Sequence, residues 1–189
     1  CQSIADAVAL GNAAIGVSVG RITTSVVSGI GFLGAGTIVF ITAAAHALLG
    51  VSSTSPTISG LKLSLVGLGV TVALGVLMSL AIGGSIELPL LQVADIHLGW
   101  GFVGWGLVLL AAVAYVVVPM FQLTPDYPRR FGRGFLVFAL IVVTLWSVVE
   151  RFWPGLAAEL AGIPVLGAPV AFALATLRLQ TKSKRPRFD

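Results

Sequence analysis

Long apolar runs alternate with short polar segments along most of this chain. The runs reach the length of about 20 residues that a helix needs to cross a bilayer, and turn-forming or charged residues separate them. We therefore predict an all-α, polytopic transmembrane helical bundle. The predicted spans, about five in number, cover residues 23–49, 61–82, 97–120, 134–153 and 156–177. A shorter run rich in Ala and Gly, residues 4–19, is a candidate sixth span at the N-terminus.

The span that begins at His97 has two distinct faces when it is wound at about 100° per residue. One face is small in its middle and polar at both ends, which is typical of a surface packed inside a bundle. That packed stripe comprises His97, Gly101, Gly104, Val108, Ala111 and Tyr115. The opposite face is predicted to contact lipid and comprises Trp100, Val103, Leu107, Leu110 and Val117. In the last apolar run, Pro164 and Pro169 predict a kink or an irregular start, because proline lacks a backbone donor.

Composition and charge exclude a soluble domain and indicate an orientation. The chain is 57% hydrophobic and 10% charged, whereas soluble domains carry about 25% charged residues. Five of the eleven Lys and Arg lie in the last twelve residues, and three lie between 129 and 133. In a membrane protein such clusters mark the cytoplasmic side. We expect the lipid bilayer and no nucleic acid as partner, a multi-pass location in the inner membrane, a cytoplasmic C-terminal end, and an external loop at 84–96.

The single cysteine, Cys1, is also the first residue. It excludes an internal disulfide and a CxxC metal site. One interpretation is a processed lipoprotein with an acylated Cys1; the other, which we favour, is a chain that begins within a longer protein. We treat residues 1–189 as a single transmembrane domain and expect it to be a fragment. The remainder of its own chain or other membrane subunits are then further expected partners.

His97 is the strongest candidate for a cofactor or metal ligand. A neutral imidazole binds haem iron and copper, and His97 stands at the start of a span. The alternative is an interfacial histidine that bonds a lipid headgroup or the adjacent loop. His46, the other histidine, is predicted near the opposite membrane face and is interpreted as structural. Asp95 either orients His97, as carboxylates do for ligating histidines, or serves as a loop acid or helix N-cap.

Charged residues near the ends of the last two spans suggest interfacial contacts more than catalysis. Glu150 and Arg151 are adjacent, and we favour an interfacial ion pair over a proton relay. Glu159 is close enough in sequence to join them. The chain contains no phosphate-binding loop, nucleophile triad or metalloprotease motif, so we predict that it is not an enzyme.

The stretch HLGWGFVGWGLVLLAAVAYVVVPMFQLTPDYPRR resembles bacterial inner-membrane proteins of the NnrS-like type, which contain haem and copper. The matching positions are His97, Gly99, Gly104, Trp105, Tyr115, Pro119, Met120, Phe121 and Pro125. With its flanking segments, the resemblance covers roughly residues 55–189. It implies haem b or copper bound at His97 and a role near respiratory or nitric-oxide metabolism.

A second, local segment is similar to the MgtC family. RITTSVVSGIGFLGAGTI, residues 21–38, contains the string VSGIGFLGAG that members of this magnesium-linked family carry. The resemblance implies a transporter or a transport regulator. Three hypotheses therefore remain open: a haem- or metal-binding membrane protein, an MgtC-like transport protein, and a structural or assembly subunit without a site.

Overall fold

The computed structural model describes residues 28–29, 34–52 and 55–183, and its regular elements there are helices. The chain divides into two units, residues 1–38 and 39–189, and the division falls inside the first long helix. The long helices are α1 (Gly34–Leu49), α2 (Pro56–Ile82), α3 (Leu90–Gln122), α4 (Arg129–Phe152) and α5 (Leu156–Gln180). The bundle and the cavities below belong to residues 39–189.

Four of these helices, α2 to α5, are long and apolar enough to cross a membrane, and α1 is a shorter apolar helix. At 1.5 Å per residue, even the 24 residues of α4 exceed the hydrocarbon thickness of about 30 Å. The predicted all-α bundle is confirmed, and the chain is a multi-pass membrane protein. The candidate sixth span at 4–19 lies outside the described residues, as do residues 23–27 and 30–33 of the first predicted span.

Turn-forming residues set the helix ends. The Ser55 hydroxyl accepts a hydrogen bond from the Ile58 N–H at 3.2 Å and caps α2, while Pro56 supplies a φ that suits a first helical residue. Gly84 (φ 74°) and Gly155 (φ 101°) follow α2 and α4. Both take left-handed conformations that glycine adopts without a Cβ clash, so the chain reverses there and neighbouring helices run antiparallel.

Three helices begin earlier than the hydropathy pattern predicts. α2 begins at Pro56 and not at residue 61, α3 at Leu90 and not at His97, and α4 at Arg129 and not at residue 134. The additional turns carry polar residues, because a helix satisfies its own backbone hydrogen bonds beyond the point where the apolar run stops. Asp95 consequently lies within α3, and the loop-acid and N-cap interpretations were wrong.

The closest approach in the bundle joins α2 to α3. A Cβ built on Gly67 would lie 2.1 Å from the carbonyl oxygen of Gly104, and one built on Gly60 would lie 2.6 Å from the Ala112 Cβ. At Gly67 the nearest atoms are backbone, and at Gly60 the nearest atom is the Ala112 methyl carbon. Small residues that allow such contact are the usual means of packing transmembrane helices.

The packed stripe of α3 is confirmed, whereas the lipid-facing prediction was wrong at Val103, at Leu107 and at Trp100, whose indole packs against the core and donates to Ser147. Val108 and Ala111 are fully buried, and Tyr115 is 8% exposed. Val103 and Leu107, predicted to face lipid, are each only 7% exposed. Both belong to the buried cluster that α3 shares with α4 and α5, so other helices cover this side of α3 as well as the side that faces α2. Trp100–Leu107 is π-helical, and its backbone bonds to the fifth residue along.

The core lies between α3, α4 and α5 and is aromatic where α4 begins. The ring of Tyr127 lies 5.0 Å from that of Tyr115 and 6.1 Å from that of Phe172, centroid to centroid. The Tyr115 hydroxyl donates to the Gly132 carbonyl at 3.0 Å. The Tyr127 hydroxyl lies 2.8 Å from the Thr176 oxygen. Because Thr176 gives its own proton to the Phe172 carbonyl, Tyr127 is the donor.

Candidate functional site: an acidic cleft and a histidine on the long helix

A cleft of about 630 Å³ opens between α3, α4 and α5, within the range of about 300–1,000 Å³ typical of ligand pockets. Each helix contributes one carboxylate: Asp95, Glu150 and Glu159. The other lining residues are apolar or glycine: Leu98, Gly99, Phe102, Val103, Trp146, Ala158, Gly162, Val165, Leu166 and Pro169. We call this site the acidic cleft. Phe102 and Leu166 are 74% and 76% exposed, so the cleft opens toward the surroundings of the bundle.

Two glycines let the Trp146 side chain lie between α3 and α5. A Cβ on Gly99 would lie 2.3 Å from the six-membered ring of Trp146, and one on Gly162 would lie 3.4 Å from its Nε1. The indole therefore rests against backbone on two sides. It presents an aromatic surface inside the cleft, and such a surface attracts cations through its electron-rich face.

Backbone groups add to the negative character of the acidic cleft. Pro169 lies inside α5, and since proline has no N–H, the carbonyl of Val165 loses its usual helical donor. Both residues line the cleft. α5 is nevertheless helical from Leu156 to Gln180 through both prolines, and such freed carbonyls are tolerated in membrane helices where other groups can reach them. Glu150 stands in the last turn of α4, where the helix dipole is negative.

The expected Glu150–Arg151 ion pair is absent from the described part of the chain. The Arg151 guanidinium lies 5.8 Å from the ring centroid of Phe152, and it does not line the acidic cleft. The Gln92 side chain instead donates to the main-chain carbonyl of Glu150, which fixes α3 against the end of α4. Glu150 lines the cleft, and the lining contains no lysine or arginine that would compensate its charge.

His97 faces α2, on a different side of α3 from the cleft. Its Nδ1 lies 3.0 Å from the Thr71 carbonyl oxygen, and a Cβ on Gly75 would lie 3.3 Å from its Cε1. A carbonyl only accepts, so Nδ1 is the donor in this bond, and Nε2 is the ring nitrogen that a ligand or metal would meet. The partner that orients His97 is thus a main-chain carbonyl and not Asp95, which lines the acidic cleft.

This arrangement fits one ligand to a metal, but it does not by itself complete a metal site. Ligating histidines usually donate their second ring nitrogen to a carbonyl or carboxylate, as His97 does. In the described ranges no group of three or more His, Cys, Asp and Glu side chains is placed to hold a metal ion. His46 is exposed on α1.

A second cavity, of about 510 Å³, lies where α2 and α4 begin and α3 ends. Its lining is far more polar: Pro56, Thr57, Tyr115, Val116, Pro119, Met120, Thr124, Asp126, Tyr127, Arg129 and Gly132. We call it the basic-end cavity, because it lies at the arginine-rich start of α4 and Arg129 lines it. Thr124 is 9% exposed, and its Oγ1 is buried without a hydrogen-bond partner among the residues that the structure describes.

The sequence analysis associated Glu159 with Glu150 but assigned Asp95 to His97, so it did not bring the three cleft carboxylates together. A usable signal existed, since the predicted topology put Asp95, Glu150 and Glu159 at the same membrane face. Thr124 gave no signal, because a hydroxyl in a polar loop is ordinary and only its burial without a partner makes it notable.

No model of a protein family, no curated protein and no solved structure matches the chain.

Proposed function

We propose that this membrane protein binds apolar organic cations in the acidic cleft, as a carrier or as the binding part of a transport system. The observation that supports the proposal most is the pairing of three carboxylates with an otherwise apolar lining. A cation with an apolar body satisfies both parts, because its charge stays near the carboxylates while its body displaces lipid from apolar side chains.

A metal ion fits this cleft less well than an organic cation. Hard cations need six or more oxygen ligands close together, and the three carboxylates are too far apart to form a group that could hold a metal. An organic ammonium or phosphonium ion needs no such coordination. It gains from the Trp146 ring and from the freed Val165 carbonyl, both of which line the cleft.

The same proposal includes an orientation in the inner membrane. Arg129, Arg130 and Arg133 lie at the start of α4, and the positive-inside rule assigns such clusters to the cytoplasm. The acidic cleft, at the other end of α4, would then open at the outer half of the membrane. Cations arriving from outside would meet it first.

The test is equilibrium binding of tetraphenylphosphonium to the protein in phosphatidylcholine nanodiscs, which carry no net lipid charge. Glu150→Gln and Glu159→Gln each remove one cleft carboxylate. We expect each to weaken binding by about 1 kcal/mol, a factor of about five. Glu87→Gln is the matched control, since Glu87 is exposed in the α2–α3 loop and outside the cleft. Equal effects of all three substitutions would show that surface charge, and not the cleft, attracts the cation.

Haem or metal binding at His97 is the second candidate function, and the His97–Thr71 hydrogen bond favours it. His97 would supply one nitrogen ligand to haem iron or copper, and the metal would supply the redox chemistry. An absorbance spectrum with metal analysis tests this directly. A Soret band or bound copper lost in His97→Ala and kept in His46→Ala would establish the site. Colourless, metal-free protein would reject it for this chain.

A further inference from the structure

We propose that the basic-end cavity binds the headgroup of an aminophospholipid, with its phosphate at the start of α4 and its ammonium at Asp126. The cavity lies at the opposite end of α4 from the acidic cleft, so this inference does not depend on the proposed function. It rests on three features: free donors, a buried hydroxyl without a partner, and an acid beside them.

The donors come from the start of α4. The first turn of a helix has N–H groups without helical acceptors, and Pro128 before α4 provides no side-chain cap. The main-chain N–H groups of Arg129, Arg130 and Phe131 therefore lack helical acceptors, and Arg129, the first of the three, lines the cavity. Helix N-termini of this kind bind phosphate through these N–H groups and the helix dipole. The Arg129 side chain lines the cavity and adds a full positive charge.

Thr124 is the independent observation that indicates a ligand. It lines the cavity, is only 9% exposed, and its Oγ1 has no partner in the described part of the chain. A buried hydroxyl without a hydrogen bond is unfavourable, and folded proteins usually leave such a group only where something else bonds to it. A phosphate oxygen in the cavity would accept its proton.

The hydrogen-bond acceptors in the cavity indicate that the ligand carries a positive group in addition to its phosphate. Asp126 lines the cavity and would repel a simple anion. Pro119 lies inside α3 and leaves the Tyr115 carbonyl without its helical donor. A primary ammonium, joined to the phosphate by a short linker, would bond to these acceptors.

Apolar side chains at the same cavity favour a lipid as the carrier of this headgroup. Val116 and Met120 line it and are 51% and 60% exposed on α3. They lie on a helix that crosses the membrane, so acyl chains could extend along them while the headgroup remains in the cavity. A free phosphate ester with an amine has the same headgroup chemistry, and the experiment separates the two sources.

The experiment measures retained lipid by mass spectrometry after purification from nanodiscs that contain equal amounts of phosphatidylethanolamine and phosphatidylglycerol. We expect the protein to retain phosphatidylethanolamine preferentially. Arg129→Gln should reduce that retention about five-fold or more. Arg130→Gln is the matched control, because Arg130 carries the same charge on the same helical turn but does not line the cavity. Asp126→Asn should remove the preference while phosphatidylglycerol retention rises.

Two further measurements make the result decisive. Displacement of the lipid by soluble phosphoethanolamine would identify a water-soluble source, and no displacement would identify the lipid. Thr124→Val should melt at the same or a higher temperature than the parent without lipid, because it removes the unpaired hydroxyl. It should melt at a lower temperature once phosphatidylethanolamine is added. Equal loss of lipid in Arg129→Gln and Arg130→Gln, or no lipid preference at all, would overturn the proposal.

Discussion

Substitution of Gly67 by alanine should separate α2 from α3, while the same substitution two residues later should be harmless. The added Cβ at Gly67 would lie 2.1 Å from the Gly104 carbonyl oxygen and 2.4 Å from its carbon. Both are backbone atoms of a membrane-spanning helix, so no side-chain rotation relieves the contact. To reach an ordinary contact of 3.4 Å, the helices must move apart by roughly 1 Å, which loosens every contact along their crossing.

The expected loss follows from two opposing effects. Forcing a methyl group into a well-packed contact costs about 1–3 kcal/mol. Replacing glycine by alanine inside a helix gains up to about 1 kcal/mol. Gly69 separates these effects, since a Cβ built there meets nothing within 4 Å. We therefore expect Gly69→Ala to be neutral or slightly stabilising and Gly67→Ala to be clearly destabilising.

The assay is reversible unfolding of the two variants and the parent in identical detergent micelles, followed by the loss of helical circular dichroism or by steric trapping. The fluorescence intensity of the tryptophans near the α2–α3 crossing provides a local probe of unfolding. If Gly67→Ala proved as stable as Gly69→Ala, the close approach of α2 to α3 would be refuted, and with it the packing that places His97 against Thr71.

Three more predictions concern side-chain hydroxyl groups in the bundle. Tyr115→Phe leaves the buried Gly132 carbonyl without its side-chain donor, and we expect a loss of about 1–3 kcal/mol of stability in the same unfolding assay. Ser147→Ala removes the acceptor of the Trp100 indole N–H, 3.1 Å away, and should lower stability by about 1 kcal/mol while Thr144→Ala, on an exposed position, has less effect. Burial raises the pKa of Tyr127 above its ordinary value of 10.0. The folded state then holds the Tyr127 proton more tightly than the unfolded state does. The contribution of Tyr127 to the free energy of unfolding is complete below about pH 10 and is lost as pH rises through the folded-state pKa. Melting temperatures measured across that range should fall less steeply for Tyr127→Phe.

The alternation of long apolar runs with short polar segments was sufficient to predict the architecture, because membrane helices satisfy their backbone hydrogen bonds internally. Length and hydropathy therefore located α2 to α5, and the small residues of α3 identified its packed stripe. Helix ends were less predictable. Hydropathy marks where apolar side chains stop, whereas the hydrogen-bonded backbone continues into the interface, as at Leu90 and Arg129.

The burial of Val103 shows what a periodic pattern cannot contain. Val103 lies in the buried cluster that α3 shares with α4 and α5, while Gly104 packs against α2. An apolar side chain suits both lipid and another helix, so the pattern does not show that α3 has neighbours on two sides. The prediction therefore assigned to lipid a face that other helices cover.

The candidate sites differ in predictability for a related reason. His97 could be singled out because its side-chain chemistry is rare in a membrane span, whichever residues surround it. The acidic cleft depends on three helices that meet, and each carboxylate taken alone is an ordinary interfacial acid. The three carboxylates indicate a binding site only because Asp95, Glu150 and Glu159 line one apolar cavity whose lining contains no lysine or arginine. Removing one carboxylate therefore tests the assembled site, whereas removing Glu87 changes the same net charge and leaves that assembly intact.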